Sequence, residues 1–124
     1  MRCLIVDDSA DFRDAASALL ARAGISVVGV AANSAEALSL YHEVHPDIAL
    51  VDIDLGVESG FDLAEQLNRV ATSPPLAVIL VSTYAEADLA DMIATSPAVG
   101  FLQKFSLTPE AIHGLLEISG PRGR

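Results

Sequence analysis

Five short runs of β-branched and aliphatic residues, Cys3–Val6, Ser26–Ala31, Ile48–Val51, Ala77–Val81 and Val99–Gln103, alternate along the chain with longer segments of helical period. Apart from Ser26, Gly29 and Gln103 these runs are continuously apolar, and a strand that lacks polar alternation is one covered on both faces. Phe12, Ala16, Leu19, Leu20 and Ala23 share one helical stripe that stops at Gly24, a residue suited to a left-handed C-terminal cap. Asn33 and Glu36 form a capping box ahead of the stripe Ala37, Leu38, Tyr41 and Val44, and Pro46 ends this second helix. Leu63, Ala64, Leu67 and Val70 carry a third helix over 61–70, and Leu89, Ala90 and Ile93 a shorter fourth over 85–94. The fifth opens with Thr108 as N-cap and Pro109 at its first position, buries Ile112, Leu115 and Leu116, and closes at Gly120 before Pro121. Strict alternation of strand and helix predicts an α/β fold: a doubly wound five-stranded parallel sheet with right-handed crossovers and five helices on its two faces.

A chain of 124 residues with 52% hydrophobic and 19% charged residues has the size and composition of one folded domain. It is expected to run over 1–120, with 121–124 as a frayed tail. A formal charge of −10 argues against a nucleic-acid footprint and against an anionic membrane surface. The longest uncharged stretch, Val70 to Ala85, is broken by Thr72-Ser73-Pro74-Pro75 and is shorter than the roughly 20 apolar residues of a spanning helix. At the start, Asp7-Asp8 follow only four apolar residues, too few for a secretory signal, so the expected compartment is the cytoplasm. Cys3 lies in a strand of the core and is expected to be inert.

In an open parallel sheet, ligands bind beyond the carboxyl ends of the strands, where the strand order reverses. The polar residues at those positions are Asp7 and Asp8 after the first strand, Asp52 and Asp54 at the end of the third, Ser82 and Thr83 after the fourth, and Lys104 after the fifth. Clustered carboxylates repel, so such a group either raises a pKa or binds a hard cation. An oxygen-only set without Cys or clustered His points to Mg2+, with Mn2+ as the substitute. An ammonium and a hydroxyl opposite the carboxylates suit the oxygens of a phosphoryl group that the metal also binds. Ser9 and Asp11 are expected only to cap the first helix, and one helix start does not account for Asp7 and Asp8 as well. His42, His45 and His113 fall on helices away from this rim, and Tyr41 and Phe61 read as packing residues.

Over its whole length the chain resembles a response-regulator receiver domain of bacterial two-component signalling, with the flavodoxin-like strand order 2-1-3-4-5. The family's acidic pair, phosphoacceptor Asp, hydroxyl residue and Lys match Asp7-Asp8, Asp52, Ser82 and Lys104, and Gly60 matches its loop glycine. Asp8, Asp52, Ser82 and Lys104 follow one another at intervals of 44, 30 and 22 residues, the spacing of a receiver without insertions. The resemblance implies that Asp52 accepts a phosphoryl group from a sensor histidine kinase or a phosphotransfer protein and is not part of an enzyme's active site. It implies Mg2+ ligation by Asp8, Asp52 and the backbone carbonyl of Asp54, with Asp7 acting through water. It assigns Lys104 to the phosphoryl oxygens, Ser82 and the adjacent Thr83 to phosphoryl binding and switching, and Phe101 to an aromatic that turns inward when the loop moves. The fourth helix, fifth strand and fifth helix would form the signalling face and the contact of a homodimer. The downstream target is a separate protein or an output domain outside these residues.

The sequence departs from the family pattern at four positions. Gly56 replaces a common Pro and is expected to loosen the loop after Asp52; Phe105 replaces the Pro after Lys104; Thr83 replaces a smaller residue; and Phe101 lacks a tyrosine hydroxyl. Asp54 and Tyr84 stand where the family tunes phosphoryl lifetime. The run Asp52-Ile53-Asp54 also resembles the nucleophile motif of haloacid-dehalogenase-type phosphatases, but those enzymes carry it on the first strand with their metal acids downstream. A flavodoxin-like flavin binder would need hydroxyls and amides where Asp7-Asp8 stand. The alternative that survives is a degenerate receiver, acting as a phosphorylation-independent protein-interaction module.

Overall fold

The computed structural model describes residues 1–71 and 76–119, the last three of these by backbone alone. The Thr72-Ser73-Pro74-Pro75 break, the helix end at Gly120 and Pro121, and the tail 121–124 with the boundary at 120 lie outside the described residues. Elements follow in the order β1 (Arg2–Val6), α1 (Ala10–Arg22), β2 (Ser26–Ala31), α2 (Ser34–Val44), β3 (Ile48–Asp52), β4 (Asp54–Leu55), β5 (Glu58–Ser59), α3 (Gly60–Val70), β6 (Ala77–Ser82), α4 (Ala90–Thr95), β7 (Gly100–Gln103) and α5 (Pro109–Ser119). The long strands form one sheet in the order β2-β1-β3-β6-β7, every pair parallel. Since β6 and β7 are the fourth and fifth long strands, this is the expected order 2-1-3-4-5 in a flavodoxin-like receiver fold.

Two cores explain the continuously apolar strands, because successive side chains of a strand point to opposite faces. Leu4, Val6, Ala49, Val51, Val78 and Leu80 pack under α2 and α3 with Tyr41, Leu63 and Leu67. Cys3, Ile5, Ile48, Leu50 and Ile79 pack on the other face with Leu20 of α1 and Ile112 of α5. Each fully buried Leu or Ile contributes about 1.5–3 kcal/mol relative to exposure. Burial pushes the Cys3 thiol up to about 12, so it stays protonated and unreactive.

Helix ends follow their sequence signals. Ser9 Oγ accepts from the Phe12 N–H and Thr108 Oγ1 from the Ala111 N–H, capping α1 and α5. Asn33 Oδ1 accepts from the Glu36 N–H, and the Glu36 carboxylate accepts in return from Ala32, one residue before the cap. Gly24 adopts φ +83° after α1. His45 corrects one expectation: it does not lie on α2 but ends it, in a left-handed conformation at φ 46° directly before Pro46.

Two further differences concern the loops. The expected helix over 85–94 is a 3-10 turn, Glu86–Leu89, followed by the short α4, with no side-chain cap and no buried residue. Only Leu89 and Ile93 pack partly against the core, too little apolar surface to hold a longer helix. After β3, the strands β4 and β5 form an antiparallel hairpin that pairs Asp54 with Ser59 and Leu55 with Glu58. Its two-residue turn places Gly56 at φ +75°, a first-position glycine of the kind a type II′ turn takes. Gly56 therefore sits in a tight hairpin turn. Among the described residues no helix is long and apolar enough to cross a membrane.

Candidate functional site

All five parallel strands end at one rim, and β1, β3, β6 and β7 bring the chemical residues there. Asp7 follows β1 and is fully buried, Asp52 closes β3 at 4% exposure, and Ser82 closes β6 at 2%. These are the buried polar or charged residues among those described, inside an otherwise apolar core. A buried acid is costly unless it is paired, so each must have a partner.

For Asp7 the partners are fixed by the start of α1. Its Oδ1 accepts from the Ser9 N–H at 2.8 Å, and its backbone carbonyl accepts from Arg13 Nη1 at 2.6 Å. The other oxygen, Oδ2, faces Lys104 Nζ at 2.7 Å as an ion pair without an aligned hydrogen bond. Lys104, opening a 3-10 turn over Lys104–Ser106, donates a second contact to Asp52 Oδ2 at 3.2 Å. Its ammonium also lies 4.6 Å from the centroid of the Phe12 ring. Asp52 Oδ1 accepts from the Asp54 N–H at 3.2 Å.

Burial pushes the Asp52 carboxyl up to about 6, and the charge of Asp7 adds to the rise; the Asp54 N–H and Lys104 act in the opposite direction. Burial alone would lower the Lys104 pKa, but its close ion pair with Asp7 and the charge of Asp52 outweigh it, and the ammonium is held above its ordinary value.

Asp8 is exposed, yet a carboxylate oxygen from each of Asp7, Asp8 and Asp52 lies within 4.8 Å of the other two. Three clustered carboxylate oxygens suit a hard divalent cation such as Mg2+. The rim thus sets a carboxylate cluster that could hold a cation beside the Lys104 ammonium, an arrangement whose chemistry suits phosphoryl oxygens.

Other expected residues stand nearby with their own partners. Ser82 Oγ accepts from the Tyr84 N–H at 2.9 Å, which ties it to its own loop. Thr83 is exposed beside it. Asp54 is exposed, and its Oδ1 accepts from the Gly56 N–H at 3.3 Å, bracing the hairpin turn. Phe101 is 6% exposed and packs within the core on the α2 and α3 face of the sheet. Gly60 has a steric reason for its place: a Cβ there would lie 2.6 Å from Ile53 Cα and closer still to the Asp52 carbonyl oxygen. Phe12 and Arg13 were not legible as site residues, because the helical stripe marks Phe12 for the core and nothing local links Arg13 to Asp7.

Comparison with known proteins gives concordant matches. The family described as response regulator receiver domain matches residues 3–117. A protein-glutamate methylesterase/protein-glutamine glutaminase of Bacillus licheniformis is 36% identical over 107 residues, 84% of this chain and 29% of that protein. The chain therefore spans under a third of that relative. The chemotaxis protein CheY of Thermotoga maritima is 28% identical over 118 residues, 95% of this chain and 97% of CheY. Among solved structures, the signal receiver domain of the response regulator NarL from Mycobacterium tuberculosis superposes with a TM-score of 0.80 at 30% identity, covering 98% of this chain and 97% of that one.

Proposed function

The chain belongs to the response regulator receiver domains, signalling domains rather than enzymes, and from that premise we propose that it takes a phosphoryl group on Asp52 from a sensor histidine kinase or a phosphotransfer protein. The observation that carries this reading is the placement of Asp52: almost buried, its Oδ2 held by Lys104 at 3.2 Å, and within reach of two further carboxylates. An ionised Asp52 oxygen attacks phosphorus, the phosphorus–nitrogen bond of the donor phosphohistidine breaks, and its electron pair returns to the imidazole nitrogen, which takes a proton from water. The product is a mixed acyl phosphate anhydride.

Asp8, Asp52 and the backbone carbonyl of Asp54 would hold Mg2+, or Mn2+ in its place, with Asp7 reaching it through water. When bound, the ion supplies positive charge against the phosphoryl oxygens. Lys104 pairs with one of those oxygens. The Ser82 hydroxyl donates to another and draws in Thr83 and Tyr84, and Phe101 holds the far side of the shifted loop. The face formed by α4, β7 and α5 then meets the downstream target, an output domain or a second copy. The domain runs over 1–120 and works in the cytoplasm.

Intact mass spectrometry after incubation with Mg2+ and acetyl phosphate tests the reading. The expected result is a single phosphoryl adduct that excess chelator prevents and that Asp52→Asn abolishes. An adduct that persists in Asp52→Asn, or no adduct from either acetyl phosphate or a cognate kinase, overturns it and favours a phosphorylation-independent interaction module.

A further inference from the structure

We propose that Phe12 is a positioning residue for Lys104, its ring face keeping the ammonium at the rim while the carboxylates beside it change partners. This deepens the phosphoacceptor reading and rests on it. Among the described residues the Lys104 ammonium meets Asp7 Oδ2 at 2.7 Å, Asp52 Oδ2 at 3.2 Å and the Phe12 ring centroid at 4.6 Å. The two carboxylates are also expected to hold the divalent cation, and a cation seated on them withdraws the charge that anchors the ammonium and repels it directly. The aromatic ring is the neighbour that neither ligates a metal nor titrates. Its negative face attracts a cation, most strongly where water is excluded, and the Lys104 side chain here is only 18% exposed.

Little else restrains the lysine. It opens a 3-10 turn without a side-chain cap, and its flexible stem could swing the ammonium into solvent. Phe12, by contrast, is fixed to the site by the start of α1. Its backbone N–H is capped by Ser9 Oγ at 3.3 Å, the Ser9 N–H bonds Asp7 Oδ1 at 2.8 Å, and the next residue, Arg13, bonds the Asp7 carbonyl at 2.6 Å. The ring also packs partly against the core beneath α1. The element that sets Asp7 therefore sets the aromatic face, and both meet the same ammonium.

Two measurements decide the proposal. The first is the NMR signal of the Lys104 ε-methylene, which a ring face at this distance shifts upfield. The shift is expected in the unphosphorylated protein, to persist on adding Mg2+, to survive in Phe12→Tyr and to vanish in Phe12→Leu. The second is the rate of adduct formation from acetyl phosphate. Phe12→Leu should slow it by roughly three- to tenfold and Phe12→Tyr should hold it within about twofold, with a series of increasingly fluorinated phenylalanines at position 12 slowing it stepwise as the ring face loses negative potential. A purely packing role would leave the fluorinated series flat, and that result, or loss of the upfield shift on adding Mg2+, overturns the proposal. If the wild type takes no phosphoryl group, the function proposed above fails on its own, and the response of the Lys104 signal to Mg2+ still decides whether Phe12 holds the ammonium.

Discussion

Asp52 is subject to two opposed requirements, since it must be ionised to bind a cation or attack phosphorus, while burial pushes its carboxyl up to about 6. Its folded pKa lies above the ordinary 3.8, so the folded state holds the proton more tightly than the unfolded chain does. This group therefore favours folding most at acidic pH, and that contribution is lost as pH rises from about 4 through about 6 in the metal-free protein. Divalent cation and proton compete for the same carboxylate, so Mg2+ affinity should fall by up to about tenfold per pH unit below 6 and level off above 7. Calorimetric titration with Mg2+ between pH 5 and 8 checks this, and an affinity unchanged between 5 and 7 would mean either that the Asp52 carboxyl is not raised or that it does not ligate the ion. A second expectation concerns Gly60, where any side chain meets the backbone of Asp52 and Ile53. Gly60→Ala should cost about 1–3 kcal/mol in denaturant unfolding, as overpacked sites do; an unchanged midpoint would mean that the turn relaxes freely. Asp7, Asp8, Asp52 and Lys104 were legible in the sequence because they stand at the carboxyl ends of the strand runs. Phe12 was not, since its ring serves the helical stripe and the ammonium together, and only the fold brings residue 104 to residue 12.

The elements fold from local signals that act over a few residues, which is why they could be read so far in advance. Caps at Ser9, Asn33 and Thr108 and the left-handed Gly24 are side-chain or φ preferences, and the structure realises each of them. Where the local signal was thin, the reading gave way. The β4–β5 hairpin comprises two residues a strand, below the length at which alternation can be seen, and its one mark is Gly56. The segment 86–95 carried a helical pattern in Leu89, Ala90 and Ile93, but without a cap or a buried residue it divides into a 3-10 turn and a six-residue helix. Without a side-chain cap or a buried residue, this segment is expected to open more readily than the core strands. Amide hydrogens of 86–95 should exchange at least roughly a thousandfold faster than those of β3 and β6, as local opening compared with global unfolding requires. Equal protection, read by NMR or mass spectrometry, would argue against this loop as the element that moves when Ser82 changes partner.

The whole molecule is a two-sided core that presents one rim. Strand order and site placement were legible because parallel βα units leave few arrangements and all carboxyl ends on one edge. Which acid faces inward was not legible, since Asp7 and Asp8 are adjacent and only the fold buries the first and exposes the second. A net charge of −10 with three carboxylates at the rim would repel the phosphoryl group proposed to enter there, and the Lys104 ammonium, with the cation proposed for the cluster, would reverse that field locally. On the function proposed above, Asp52 and no neighbouring acid receives the group. Borohydride reduces an acyl phosphate to an alcohol, so an aspartyl phosphate is recorded as homoserine. After phosphorylation with Mg2+ and a phosphodonor, reduction and peptide sequencing by mass spectrometry should find homoserine at position 52 alone. Homoserine at 7, 8 or 54, or no homoserine at 52, would mean that Asp52 is not the acceptor.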